Sequence, residues 1–178
     1  MRFWNRKYNI EELQKFYRNE LINTESMYLR DMWCMSDRDK ERKHDYIQWM
    51  LPTNQKSEFN RRAPVLSKND IETLKADELV MKNMRKSVSV FLEFLGFRLA
   101  DNDTVCLGND FEYKVSNWLR PRNHNYKRIT RLLRFLKLFE FDVTARSLMV
   151  LLESLYQGNK EIIGETTYNY WKETVYLS

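Results

Sequence analysis

Apolar residues recur at helical intervals along most of this chain. Ile10, Leu13, Phe16, Tyr17 and Leu21 fall three or four apart, and Asn9 with Glu12 has capping-box spacing, so a helix is predicted over about 10–21. Met27, Tyr28, Met32 and Trp33 predict a second over 25–35. A charged helix is expected from Ser36–Asp37 to Leu51, where Pro52 disfavours the α conformation of the residue before it. Residues 52–66 read as a loop. Ser67 with Asp70 opens the next helix, with Ile71 and Leu74 facing inward. From Asp77, the stripe Val80, Met84, Val88, Phe91, Leu92 and Leu95 predicts a long helix, ended by Gly96.

Residues 98–123 are the least regular. Asp101-Asn102-Asp103 and Gly108-Asn109-Asp110 have turn composition, and Thr104–Leu107 can extend, which leaves room for a short extended pair near 104–113. Three further helices are predicted, over 125–138, 144–156 and 166–176. No repeat, low-complexity stretch or boundary interrupts the series. The expected architecture is all-α, a compact single-domain bundle of about seven helices covering residues 1–178.

Composition supports this picture. Only four Gly and three Pro argue against an all-β fold, and ten Phe, ten Tyr and five Trp supply large rings for a core. Hydrophobic residues at 43% and charged residues at 31% are an ordinary globular balance. A formal charge of +5 favours anionic partners, although a solubilising surface is the reading that so mild an excess favours over a nucleic-acid footprint. Cys34 and Cys106 lie far apart with no Cys-x-x-Cys spacing, so a zinc ribbon is excluded and a reducing, cytoplasmic setting fits. The opening MRFWNRKYNI lacks a secretory signal. The apolar stretches Val90–Phe97 and Leu148–Tyr156 carry Glu93 and Glu153 and fall short of the roughly 20 residues of a membrane span, so a soluble protein is expected.

Three segments rise above generic helix: FYRNE at 16–20, HDYIQWMLP at 44–52 and HNYKRITRLLRFLK at 124–137. Together they resemble the N-terminal domain of the opioid growth factor receptor family. Phe16, Tyr17, Asn19 and Glu20 match its first segment. His44, Tyr46, Ile47, Gln48, Trp49 and Pro52 match the second, with Met50 and Leu51 in place of Leu-Phe. His124, Asn125, Arg128, Ile129, Thr130, Arg131 and Leu133 match the third. Asn60, Ala63-Pro64, Leu66 and the Phe94–Leu99 stretch also correspond, so the likeness covers roughly residues 8–175. It implies a signalling domain that binds a peptide or protein partner. Vertebrate members are described as receptors for Met-enkephalin that act around the nucleus, so a nuclear or perinuclear address is the alternative that the resemblance implies. Members with a long extension place it after this region, and this chain is expected to be a stand-alone short member.

Read physically, a helix through residues 44–51 would set His44 and Gln48 one turn apart, with Asp45 and Trp49 as the neighbouring pair. Imidazole, amide and indole would then form the polar-aromatic wall of a cleft. Alternatively, Tyr46 and Trp49 belong to the core, and His44 and Gln48 satisfy buried backbone at a helix–loop junction. In the later motif, Ile129, Leu132, Leu133 and Leu136 share one arc, while Lys127, Arg131, Arg134 and Lys137 form a basic face with Arg128 flanking. With Asn125 as N-cap, Lys127 and Arg128 would oppose the helix dipole at roughly 0.3–1 kcal/mol each, which asks for an anion nearby. That anion is either an internal carboxylate (Asp45, Glu20 or Asp110) or an external phosphate or peptide carboxylate.

The candidate partner-binding set is therefore His44, Asp45, Tyr46, Gln48, Trp49, His124, Asn125, Arg128 and Arg131, lining one cleft for a peptide or acidic partner. Nucleic acid or another polyanion on the basic face is the alternative. An enzyme using His44 and His124 as acid and base is a third reading, but no phosphate loop, nucleophile elbow or His-Glu-x-x-His accompanies them. No catalytic residue, cofactor or metal site is predicted.

Overall fold

The computed structural model describes residues 8–177; residues 1–7, which include most of the start read above for a leader, and Ser178 lie outside the described residues. The chain forms two compact units, Met1–Ser87 and Val88–Ser178. Among the described residues it is mostly helical, with eleven helices and one two-stranded antiparallel sheet. The all-α reading with a short extended pair is met in outline, and the count exceeds seven because short helices occupy stretches expected to be continuous or irregular.

The first unit begins with α1 (Ile10–Tyr17), whose capping box is closed: the Asn9 side chain accepts from the Glu12 amide at 2.9 Å, and the Glu12 carboxylate accepts from the Asn9 amide at 3.3 Å. Leu13, Phe16 and Tyr17 are buried. The helix stops short of residue 21 because Asn19 turns left-handed at φ 64°, donating to the Phe16 carbonyl while Glu20 donates to that of Lys15. The Asn19 side chain also accepts from the Arg30 amide at 2.6 Å, seating α2 (Leu29–Trp33).

Next come α3 (Asp37–Arg42) and α4 (Ile47–Met50), where one helix was expected. Tyr46 through Thr53 are all buried, more consecutive side chains than one face of a straight helix can hide. The chain breaks at extended Lys43 (φ −86°, ψ 137°), which frees α4 to enter the core while α3 stays largely solvated. After the expected loop, α5 (Lys68–Lys75) opens on the predicted Ser67–Asp70 capping box and buries Ile71 and Leu74. The long helix α6 (Glu78–Leu95) follows, with Val80, Met84, Val88, Phe91, Leu92 and Leu95 buried as their spacing predicts.

In the second unit, Gly96 at φ +96° ends α6 and leads into β1 (Phe97–Leu99), which pairs with β2 (Val105–Leu107). The extended pair therefore lies at 97–107. It does not reach 113, because α7 (Phe111–Trp118) begins there, burying Phe111, Val115 and Trp118. Then come α8 (Asn125–Leu138), α9 (Asp142–Gly158), α10 (Lys160–Ile163) and α11 (Glu165–Tyr176), with α8 packed on both α9 and α11. A run of rings crosses this core from Phe97 to Trp118, Tyr126 and Trp171 at centroid separations of 6.3, 6.4 and 5.8 Å. Its polar edges are matched: the Trp118 indole donates to the Leu95 carbonyl at 2.9 Å and that of Trp171 to the Tyr126 carbonyl at 3.3 Å.

Candidate functional site

The two signature segments fall in different units. In the first unit, His44 and Asp45 stand exposed on the bend between α3 and α4. They are not on one helix with Gln48 and Trp49, so the expected one-turn pairing does not form; the break at Lys43 that lets α4 enter the core removes it. His44 has the Phe59 ring as a neighbour, with centroids 6.5 Å apart. Tyr46, Gln48 and Trp49 are buried. The Trp49 indole meets Phe16 and Tyr8 edge-on at 5.2 and 4.9 Å, and its carbonyl accepts from the Tyr17 hydroxyl at 2.9 Å. Gln48 Oε1 and Trp49 Nε1 are buried with no hydrogen-bond partner among the described residues. Asn60 ties the 52–66 loop to this bend, donating to the Asp45 carbonyl at 2.8 Å.

In the second unit, the N-cap of α8 is His124 rather than Asn125, and its side chain makes no capping bond. The Asn123 side chain accepts from the Asn125 amide at 2.8 Å, which frees the Asn125 side chain to turn inward. Asn125 is buried and so is Arg128, whose Nη1 donates to Asn125 Oδ1 at 3.0 Å. Arg128 is thus set into the packed side of the helix instead of flanking the basic face. The neighbouring Tyr126 has its phenol pKa raised by burial, against the hydrogen bond its hydroxyl donates to the Arg120 carbonyl at 2.9 Å.

What α8 turns outward is a narrow strip. Lys127 is exposed, and Arg131, Arg134 and Lys137 are partly so. Lys127, Arg131 and Arg134, spaced four and three apart, lie nearly in line and span about 10 Å at 1.5 Å per residue. Lys137 sits at the edge and pairs with Asp142. Arg134 has no ion pair or hydrogen bond from its guanidinium among the described residues, and burial lowers its pKa. A partly desolvated cation with no counter-charge among the described residues is the feature of this strip that spacing alone did not reveal.

One ionic pair was not foreseen. Arg18 Nε and Nη2 both reach Asp77 Oδ2, at 2.7 and 2.6 Å, while Asp77 Oδ1 accepts from the Val80 amide at 3.2 Å. Burial would raise the Asp77 pKa, but the Arg18 hydrogen bond and charge, with the Val80 and Leu79 amides, outweigh it and hold the carboxyl below its ordinary value. The partners lie 59 positions apart, a separation at which periodicity carries no signal.

Residues 5–177 match the family described as the opioid growth factor receptor (OGFr) conserved region. The chain belongs to the opioid growth factor receptor family. It is 25% identical over 168 residues to opioid growth factor receptor-like protein 1 of Mus musculus and 26% identical to that of Rattus norvegicus, covering 90% of this chain and 36% of each relative. The Xenopus tropicalis protein of the same name is 29% identical over 129 residues, 68% of this chain and 24% of the relative. The chain thus spans about a third of the length of its mammalian relatives. No solved structure matches it.

Placed on the fold, many residues that carry the family likeness have architectural surroundings. Phe16, Tyr17, Ile47 and Trp49 are core, Asn19 and Gly96 take positive φ, and Asn60 pins a loop. Among the described residues, no helix is long and apolar enough to cross a membrane, and no group of three or more His, Cys, Asp or Glu could hold a metal ion.

Proposed function

We propose that this domain of the opioid growth factor receptor family is a partner-binding module, and that the outward strip of α8 contacts an acidic segment of a peptide or protein. The observation that carries the reading is Arg134, a partly buried guanidinium without a counter-charge among the described residues, aligned with Lys127 and Arg131. Desolvating a cation is unfavourable unless an anion repays it, and carboxylates on a partner would do so through charge-assisted bonds. Of the candidate set, His44 and Asp45 are exposed in the first unit, where Tyr46, Gln48 and Trp49 are buried, and Asn125 and Arg128 are buried in the second.

The test is fluorescence anisotropy of a labelled glutamate-rich peptide with the wild-type chain and with Arg134→Ala. Arg134 is only partly buried, so the variant is expected to fold, as circular dichroism would check. The expected result is binding that weakens about tenfold in the variant, the worth of one charge-assisted hydrogen bond of roughly 1.5 kcal/mol. Equal affinity in both proteins removes the proposal. Duplex DNA that binds more tightly than the peptide, with the same Arg134 dependence, replaces the acidic partner by nucleic acid.

A further inference from the structure

A shallow groove, largely open to solvent, lies on the first unit between α1, the end of α5 and the start of α6, lined by Gln14, Arg18, Thr73, Ala76, Asp77 and Glu78. Asp77 grips Arg18 from the side, through Nε and Nη2. A guanidinium held that way keeps its other edge, Nη1 with the second Nη2 proton, as a two-pronged donor of fixed orientation. Arg18 has no further partner among the described residues, and its side chain is 41% exposed. Asp77 offers little to a ligand, since one oxygen takes Arg18 and the other the Val80 amide.

The groove also holds groups of the opposite kind. Glu78, next along this wall, is exposed, with no ion-pair partner among the described residues. The C-terminal end of α5 at Ala76 brings partial negative charge. The Gln14 side chain, with both donor and acceptor, completes the lining and has no hydrogen-bond partner among the described residues. An oriented donor fork and a free carboxylate in one concavity suit a molecule that carries a carboxylate and an ammonium together. A simple anion would be repelled by Glu78 and Asp77, and a simple cation would leave the open donor edge of Arg18 unmatched.

We infer that this groove binds an α-amino acid zwitterion, its carboxylate on the open edge of Arg18 and its ammonium on Glu78, with the Gln14 amide between. The site is separate from the α8 strip, and neither proposal depends on the other.

The experiment is an NMR titration of the ¹⁵N-labelled chain with L-leucine, with N-acetyl-L-leucine, which lacks the ammonium, and with L-leucinamide, which lacks the carboxylate. Leucine is expected to shift the amides of Gln14, Arg18, Thr73, Ala76 and Glu78 at millimolar concentration, and each blocked analogue to bind about tenfold more weakly for the lost charge-assisted contact. Glu78→Gln, at an exposed position, is expected to abolish the preference for leucine over N-acetyl-leucine while leaving the preference over leucinamide. No leucine-dependent shift in the groove overturns the inference. So do shifts that the blocked analogues match, or an unchanged preference for leucine over N-acetyl-leucine in the variant.

Discussion

Asp77 joins two sequence positions that no local pattern connects. Its side chain is nearly buried, with one oxygen on the Arg18 guanidinium and the other capping the Val80 amide at the start of α6. Because its folded pKa is held below the ordinary 3.8, it contributes stability that is fully present above the unfolded value and lost as pH falls through the lower folded value. Asp77→Asn keeps the cap in outline and removes the charge. Denaturant midpoints measured from neutral pH downward are expected to show the variant less stable at neutral pH, with the gap to wild type closing only below about pH 4. Gln48 is the opposite case. Its sequence position suggested a polar wall, and its buried Oε1 lacks a hydrogen-bond partner among the described residues, something residue identity alone did not reveal.

At the scale of elements, the helices announced by their own side chains were legible. Asn9 with Glu12, and Ser67 with Asp70, each close a box with atoms three residues apart, so nothing distant is needed to place α1 and α5. The split of α3 from α4 was not legible, because it follows from how many side chains around Trp49 the surrounding core accepts. The α7 stripe of Phe111, Val115 and Trp118 was present in the chain, but eight residues between turn-rich segments gave the period little room to show.

The hairpin of β1 and β2 rests on two glycines with different reasons. Gly96 needs its positive φ, whereas Gly108 is needed for close approach: a Cβ there would lie 2.7 Å from the Gly96 carbonyl oxygen, which accepts the Gly108 amide at 2.8 Å. Gly108→Ala must push the strands apart. It is expected to cost about 1–3 kcal/mol in a urea titration, as overpacking typically does.

At the scale of the molecule, each unit is organised by large buried rings, and in the second unit the indoles of Trp118 and Trp171 find backbone partners. In the second unit, Trp171 is fully buried against Tyr126, and its indole donates to the Tyr126 carbonyl. Trp171→Ala is expected to cost about 3–5 kcal/mol, read from chemical denaturation monitored by circular dichroism, and a cost below 1 kcal/mol would show that this ring run is not the core of the unit. By itself the sequence determined the helical class, the family, most helix starts and the apolar stripes, because these depend on groups within a turn or two of one another along the chain. Only the tertiary structure decided that Arg128 and Asn125 turn inward, that Arg134 lies partly desolvated without a counter-charge among the described residues, and that Arg18 meets Asp77. Burial and ion pairing depend on which distant elements arrive beside a residue, and neighbours along the chain do not encode that arrival.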